Sequence, residues 1–523
     1  MSGWSFVRVW DSIAEAAPER VAISCGPRVC TFGDFEDRAA RLAGHLERAG
    51  VTAGDKVAID LVNRPEYLET FYAALKLGAV PVNVNYRYGV EETRYLLADS
   101  EARAVVTEAR FAPTVRAAVA RLADPPPLVI ELESGYEAAV AGDRSTPGRA
   151  ADGDDLIFLY TGGTTGMPKG VMWRSDDLYV ALWQMGRPGT EPPDPLVAIT
   201  AGKRAGTTLP GCPLMHGTGL FITLSTLSGG GTVVLIDETG LDPIRIWDEI
   251  DRNDVAVLTI VGDVFARPLL DALDAGPGRW SLASLRAITS SGVTWSPEVK
   301  RGLLNHLPTI TLLDSLGASE GLMSRSASRA DDAEIAPARF AVNDRVRVLT
   351  DDGREVVPGS DEVGMVGVGG RIPLGYYRDP EKTAKTFRTV NGTRYSIPGD
   401  YATVDPDGTI KLLGRGSATV NTGGEKVYPE EVELVLRRHD TVDDCVVVGI
   451  PDDRFGEMVV AMVVTRGPIK EDTLREHCKA QGLSGYKIPK RVVVLDEMHR
   501  APNGKADYRL LRDLAVSRLG AST

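Results

Sequence analysis

Residues 159–174 read LYTGGTTGMPKGVMWR, and this stretch says more about fold and chemistry than any other in the chain. A strand-like run over 156–160 leads into a glycine-rich loop of small and hydroxylated residues, with Lys169 behind it. Gly162, Gly163 and Gly166 let successive backbone N–H groups face one anion, and Thr161, Thr164 and Thr165 add hydroxyl donors. Lys169 supplies mobile positive charge for a polyphosphate. The pattern is not a Walker A loop, because Met167-Pro168 precedes Lys169 and Gly170 follows it, and it is not GxGxxG. The plain structural alternative is a strand-to-helix turn, against which the crowding of Gly, Thr, Pro and Lys over 161–170 argues.

Working outward, helical and strand signals alternate on both sides. Helix periodicity covers 35–48 and 64–76, and strand-like runs cover 56–61, 79–84 and 104–106. Further runs lie at 232–236, 255–260, 285–289 and 310–313. Such alternation indicates βαβ units and a parallel sheet. Residues 142–155, GDRSTPGRAADGDD, read as a connector. After about residue 329 the texture changes to short strands with Asp-Gly turns, at 346–354, 364–368 and 401–413, a hairpin signature. From 423 onward helices at 429–438 and 471–480 alternate with strands at 444–450 and 491–495. The expected fold is α/β. A large N-terminal domain of mixed and parallel sheets with flanking helices carries a β-rich subdomain (1–414), and a small mobile α+β C-terminal domain follows (415–523).

The length of 523 residues is about three and a half times a ~150-residue domain. Hydrophobic residues at 43% and charged residues at 25% are ordinary for a soluble globular protein. A net charge of −13 argues against a nucleic-acid partner, whose footprint is basic. No run of 18 apolar residues predicts a membrane span, and the first twenty residues meet Asp and Glu with no signal-peptide core. Five scattered cysteines without a CxxC pair fit a reducing cytoplasm and neither disulfides nor structural zinc. Oligomeric state is not legible here.

With these residues on the page the chain resembles the adenylate-forming superfamily of acyl-CoA synthetases, peptide-synthetase adenylation domains and luciferases, over essentially its whole length. YTGGTTGMPKG (160–170) is similar to that family's phosphate loop. PLMHGTG (213–219), SSGVTWSPE (290–298), DSLGASE (314–320) and GYYRDPEKTAKTF (375–387) follow in the family's order. YSIPGDYATVD (395–405), LLGRGSATVNTGGEKVYPEEVE (412–433) and APNGKADY (501–508) complete the set. The resemblance is strongest to actinobacterial fatty-acyl and steroid-side-chain CoA synthetases.

The resemblance implies roles. Lys505 would be the catalytic lysine between carboxylate and α-phosphate; otherwise it is a solvated C-terminal lysine. Glu320 with the Thr161 hydroxyl would hold Mg²⁺, which takes one or two protein oxygens plus phosphates; the bland reading of Glu320 is a helix start. Asp400 would accept both ribose hydroxyls, with Arg415 adding a second contact; the alternative for Asp400 is a turn aspartate. Ser291, Gly292, Asp314, Leu316, Gly317, Ala318 and Ser319 would line the nucleotide. Leu316 replaces the aromatic that many relatives stack on adenine. His216, Thr218, Gly219, Val261, Gly262, Asp263, Phe265, Ser291, Gly292 and Met323 are the implied acid pocket, although a lone His is equally a structural one. Ser417, where relatives carry Asp or Lys, would be the hinge, and Gly423, Gly424 and Glu425 would face a CoA tunnel.

The activity implied is ATP-dependent adenylation of a small-molecule carboxylic acid, then thioester formation with CoA. One alternative keeps the ATP chemistry and activates nitrite to diazotise an aromatic amine, or forms another ligation product. Lys203-Arg204 would serve either a small polar substrate or the nucleotide of CoA. A second alternative is a non-catalytic binding paralogue, against which the presence of Lys169, Glu320, Asp400, Arg415 and Lys505 argues.

Overall fold

The computed structural model describes residues 3–123, 128–145, 150–163, 166–185, 187, 189–200, 206–293, 295–335, 338–415, 418–422, 425–452, 454–500 and 504–520. Thr164, Thr165, Lys203, Arg204, Ser417, Gly423 and Gly424 therefore lie outside the described residues. The described residues group into two units. One comprises Met1–Gly162, Met167–Ile335 and Gly369–Arg388, and the other Gly163–Gly166, Ala336–Val368 and Thr389–Thr523. Among the described residues no helix is long and apolar enough to cross a membrane.

The first unit holds two large sheets. In one, the strands Val80–Asn83, Lys56–Asp60, Ala102–Thr107 and Leu128–Glu131 run parallel, and Leu156–Gly163 joins them beside Val80–Asn83. In the other, Val21–Cys25, Thr232–Leu235, Thr207–Pro210, Val257–Ile260, Ala287–Ser291 and Thr311–Ala318 are parallel, with an antiparallel strand at each edge. Their continuous apolar runs suit strands covered on both faces. Ile260, Ile288 and Leu312 pack with Trp247 and Leu303 into one core. The helix expected from residue 35 begins at Phe32, because Thr31 and Asp34 form a reciprocal capping box. The hydrophobic stripe that marks a helix is silent about such polar caps.

The glycine-rich stretch corrects an expectation. It forms two strands, Leu156–Gly163 and Gly166–Arg174, where the sequence predicts a strand over 156–160 and then a loop. Only two residues separate these paired strands, so they form an antiparallel hairpin. The physical reason is alternation in the second half: Val171 and Trp173 are buried, while Met172 and Arg174 are less so. Gly170 is required within it, since a Cβ there would stand 2.7 Å from the Tyr160 ring.

In the second unit, Phe340–Ala341, Thr409–Arg415, Asp400–Val404, Gly364–Gly369, Thr393–Ser396 and Phe387–Val390 form the expected β-rich sheet, with Val346–Leu349 beside Gly364–Gly369. A second sheet is built on the long antiparallel pair Val442–Asp452 and Gly456–Thr465. Its two faces bury alternate residues. Val447, Val459 and Ala461 pack with Leu436 and Leu474, whereas Val446, Val460 and Met462 pack with Leu511 and Ala515. Helices Pro429–Leu436, Glu471–Ala480 and Tyr508–Gly520 supply those partners.

Candidate functional site

Thr161 and the exposed Gly162 lie toward the tip of the hairpin, and Lys169 on its second strand. The Lys169 ammonium is 3.5 Å from Asp379 and 5.7 Å from the Tyr95 ring centre. The Tyr95 hydroxyl, and behind it Asp99 and Asp379, hold Lys169 above the usual lysine range, so it stays charged. Tyr160 donates to Asp99 at 2.8 Å. The hairpin thus carries a fixed cation beside exposed backbone, suited to a polyanion.

Glu320 is not at a helix start. Ser319 and Glu320 form the two-residue turn between the antiparallel strands Thr311–Ala318 and Gly321–Ser328, where Ala318 faces Gly321. Tyr376 donates to Glu320 Oε1 at 2.6 Å, which fixes one carboxylate oxygen. The buried Trp173 indole donates to the Ser319 carbonyl at 2.9 Å, tying the hairpin's second strand to this acidic turn. Along the strand behind the turn, Leu316 faces Ser324 and Gly317 sits at a register shift, with Met323 buried on the facing strand.

Asp314 points elsewhere. Its buried carboxylate is 2.7 Å from the fully buried Lys300 ammonium on helix Pro297–His306. Burial raises its pKa, and Lys300 opposes that shift. Asp263 accepts from Ser296 N at 2.9 Å, and Gly262 N donates to Ser290 Oγ at 2.8 Å. These bonds hold Ser290 and Ser296, and Gly292 between them needs its left-handed φ of +88°. Ser291 pairs beside Ser315. Val261 and Phe265 belong to the buried core that includes Trp295.

His216 caps helix Gly217–Ser228 through its backbone in an extended conformation. The segment before it is held by two asparagines that sequence reading did not single out. Asn63 donates to the Cys212 carbonyl at 3.0 Å and accepts from Leu214 N at 2.7 Å. Asn83 accepts from Tyr160 N at 2.6 Å and donates to the carbonyls of Tyr160, at 2.9 Å, and Met215, at 2.6 Å. Both lie just beyond or within runs that read as plain strand and helix. Only a polar residue at an expected buried position could have flagged them. Thr218 follows in the helix, and Gly219 is needed because a Cβ would meet the Pro213 carbonyl at 2.6 Å.

In the second unit, Asp400 and Arg415 are directly opposite each other on the antiparallel strands Asp400–Val404 and Thr409–Arg415. The ribose-contact candidates are therefore brought together by register. Gly414, at φ +118°, lies against the Glu430 carboxylate of helix Pro429–Leu436, leaving no room for a side chain. Glu425 opens the short strand Glu425–Val427. Lys505 is exposed on a turn that follows the buried Gly504, whose φ is +72°. Among the described residues no cluster of three or more His, Cys, Asp or Glu could hold a metal. Glu320, with Oε1 bonded to Tyr376, and the Thr161 hydroxyl are hard oxygen donors of the kind that would suit a Mg²⁺ ion resting mainly on phosphates.

Comparison with known proteins bears on the family and the fold. Residues 10–377 match the family model described as AMP-binding enzyme, and residues 431–505 match AMP-binding enzyme C-terminal domain. The chain is 40% identical, over 96% of its length and 95% of the relative's, to a medium/long-chain-fatty-acid–CoA/3-oxocholest-4-en-26-oate–CoA ligase of Mycobacterium tuberculosis. It is also 40% identical to a 3-oxocholest-4-en-26-oate–CoA ligase of Rhodococcus rhodochrous, over 95% of this chain and 94% of that one. Among solved structures, ATP-bound MatB from Rhodopseudomonas palustris superposes with a TM-score of 0.81 at 26% identity, covering 98% and 99% of the two chains. An anthranilate CoA ligase holding anthranoyl-AMP gives a TM-score of 0.86 at 21% identity, covering 100% and 99%, and shares the fold.

Proposed function

The chain belongs to the AMP-binding enzyme family, and from that premise we propose that it joins a carboxylic acid to coenzyme A with ATP. In the first step a carboxylate oxygen attacks the α-phosphorus, and pyrophosphate leaves to give an acyl-adenylate. In the second the CoA thiol attacks the acyl carbon, loses its proton, and AMP leaves. The observation that carries this reading is the 40% identity over 96% of the chain to a relative named as a CoA ligase. The same names favour a carboxylic acid and CoA over nitrite and an amine. They also support a medium- or long-chain fatty acid or a steroid side-chain acid as the substrate.

Two anions must meet in the first step, so the residues assigned to it are cationic or cation-binding. Lys505 bridges the carboxylate and the α-phosphate. Lys169 and the hairpin backbone, with Thr161, Gly162, Gly163, Thr164, Thr165 and Gly166, hold the outer phosphates. Asp400 accepts the ribose hydroxyls, as an acceptor-only carboxylate can, and Arg415 supports it. Glu320 and Thr161 hold Mg²⁺, which when bound supplies charge neutralisation on the phosphates. Ser291, Gly292 and Leu316 to Ser319 line the nucleotide, and His216 with Thr218, Gly219 and Met323 faces the acid. Ser417 is the hinge of a C-terminal part beginning near residue 415, and Gly423, Gly424 and Glu425 border the pantetheine path. Cytoplasm is the compartment we assign, where the five free cysteines stay reduced.

Pyrophosphate release tests the proposal with fatty, aryl and steroidal acids, each with and without CoA, and separately with nitrite plus an aminobenzoate. Thioester formation with any acid is the expected result. Turnover restricted to nitrite and amine would refute it.

A further inference from the structure

Resting on the assignment of Lys505 to the adenylation step, we propose that the Arg500–Asp444 ion pair is the positioning device that sets the lysine turn for that step. Arg500 donates through Nε to Asp444 Oδ2 at 2.6 Å and through Nη2 to Asp444 Oδ1 at 2.7 Å, a fork-on-fork pair. Its remaining nitrogen, Nη1, donates at 3.0 Å to the carbonyl of Gly504, the residue directly before Lys505. Arg500 also faces Ala506 in an isolated antiparallel bridge, so the residues directly before and after Lys505 are both tied to Arg500.

The anchor is the sheet itself. Asp444 belongs to strand Val442–Asp452, and its carboxylate also lies 3.6 Å from Arg437 on the chain just after helix Pro429–Leu436. Arg437 donates to the Cys445 carbonyl at 3.1 Å and lies 3.7 Å from Glu433. Glu433 in turn accepts from Val447 N at 2.8 Å. Four charged side chains are thus spent beneath one exposed lysine. The Arg500 side chain is only 10% exposed. Burying such charges gives little net stability relative to apolar packing, so stability alone is a poor reason for the arrangement. What it does supply is orientation: one guanidinium fixes both the strand and the peptide unit that carries Lys505. A general glycine turn with φ of +72° at Gly504 has no such restraint of its own.

The test uses the full-length enzyme with dodecanoate, or the panel acid turned over fastest, and that acid's preformed acyl-adenylate. Arg500→Ala and Asp444→Asn should each lower kcat for pyrophosphate release by about 10²-fold, the cost of displacing a catalytic group by about 1 Å. KM for ATP should stay within about threefold, and thioester formation from the preformed adenylate within about twofold. Asp444→Glu, which keeps the charge pair, should recover most of the loss. In a Lys505→Ala background, adding Arg500→Ala should cost nothing more, because the arginine acts only through the lysine. Equal loss of both half-reactions, or full additivity with Lys505→Ala, would overturn the inference. Full adenylation by Lys505→Ala alone would overturn the underlying lysine assignment instead, and that outcome is separately readable.

Discussion

Glu320 accepts a 2.6 Å hydrogen bond from Tyr376, whose ring also carries the Lys382 ammonium 4.3 Å from its centre. A donor on one oxygen leaves the other to face a cation. Tyr376→Phe should therefore raise the Mg²⁺ concentration for half-maximal adenylation by about tenfold, the worth of one hydrogen bond to a charged group. An unchanged Mg²⁺ titration would separate Glu320 from the metal. Asp60 offers a test through pH. Burial, with the Glu108 charge, pushes its carboxyl up from 3.8 to about 7, against a hydrogen bond from Thr107. Across that window the folded chain keeps a proton that the unfolded chain has lost, so stability falls as pH rises and levels off above about 7. Asp60→Asn removes a penalty growing by up to about 1.4 kcal/mol per pH unit. Its melting-temperature advantage over the parent should widen from pH 5 to 7 and then stay constant.

At the scale of elements, the segment 212–215, which we propose borders the acid, hangs on Asn63 and Asn83. Asn83→Ala leaves three buried backbone groups without their partner. It should destabilise the chain by about 2–4 kcal/mol and raise KM for the acid more than KM for ATP. Chemical unfolding and steady-state kinetics check the two parts; an unshifted acid KM would mean that the segment is held by other contacts. The contrast with the strands is instructive. Runs such as KVAID and VAVLTI were legible because burial on both faces writes itself as hydrophobicity. A buried asparagine that bridges two segments leaves no period, and neither do Lys300 and Asp314, which share a buried pair fourteen residues apart. In the hairpin at 156–174 the sequence signals only the first strand, since glycine and threonine mark backbone freedom without saying whether strand pairing uses it. Asp400 and Arg415 are an intermediate case: Asp407-Gly408 marks the turn, but the register shift between Tyr401 and Ala402 that sets the two face to face has no sequence signal.

For the whole molecule, the described residues form two units with separate sheets and separate cores. Distinct cores are distinct cooperative blocks, so scanning calorimetry should give a calorimetric enthalpy larger than the van't Hoff value. A single transition with equal enthalpies would show that the two unfold as one. The composition and charge told little about this organisation: an acidic, ordinary globular chain fits many architectures. The order of the motifs told much more, because each carries residue types that chemistry, and not packing, calls for. The lysine turn shows the limit of such reading. APNGKADY is conspicuous as a motif, while its anchor at Asp444 lies more than fifty residues upstream in a segment that reads only as strand.

The bond from the Trp173 indole to the Ser319 carbonyl gives the protein an optical reporter of its own. Indole emission responds to the strength of the hydrogen bond made by its N–H and to the polarity around the ring. A ligand that tightens the acidic turn should therefore alter the emission of this one buried ring. Because the donor sits on the hairpin and the acceptor beside Glu320, ATP bound at the proposed phosphate site should become visible without any added label. The difference spectrum between the parent and Trp173→Phe isolates that signal from the six other tryptophans of the seven in the chain.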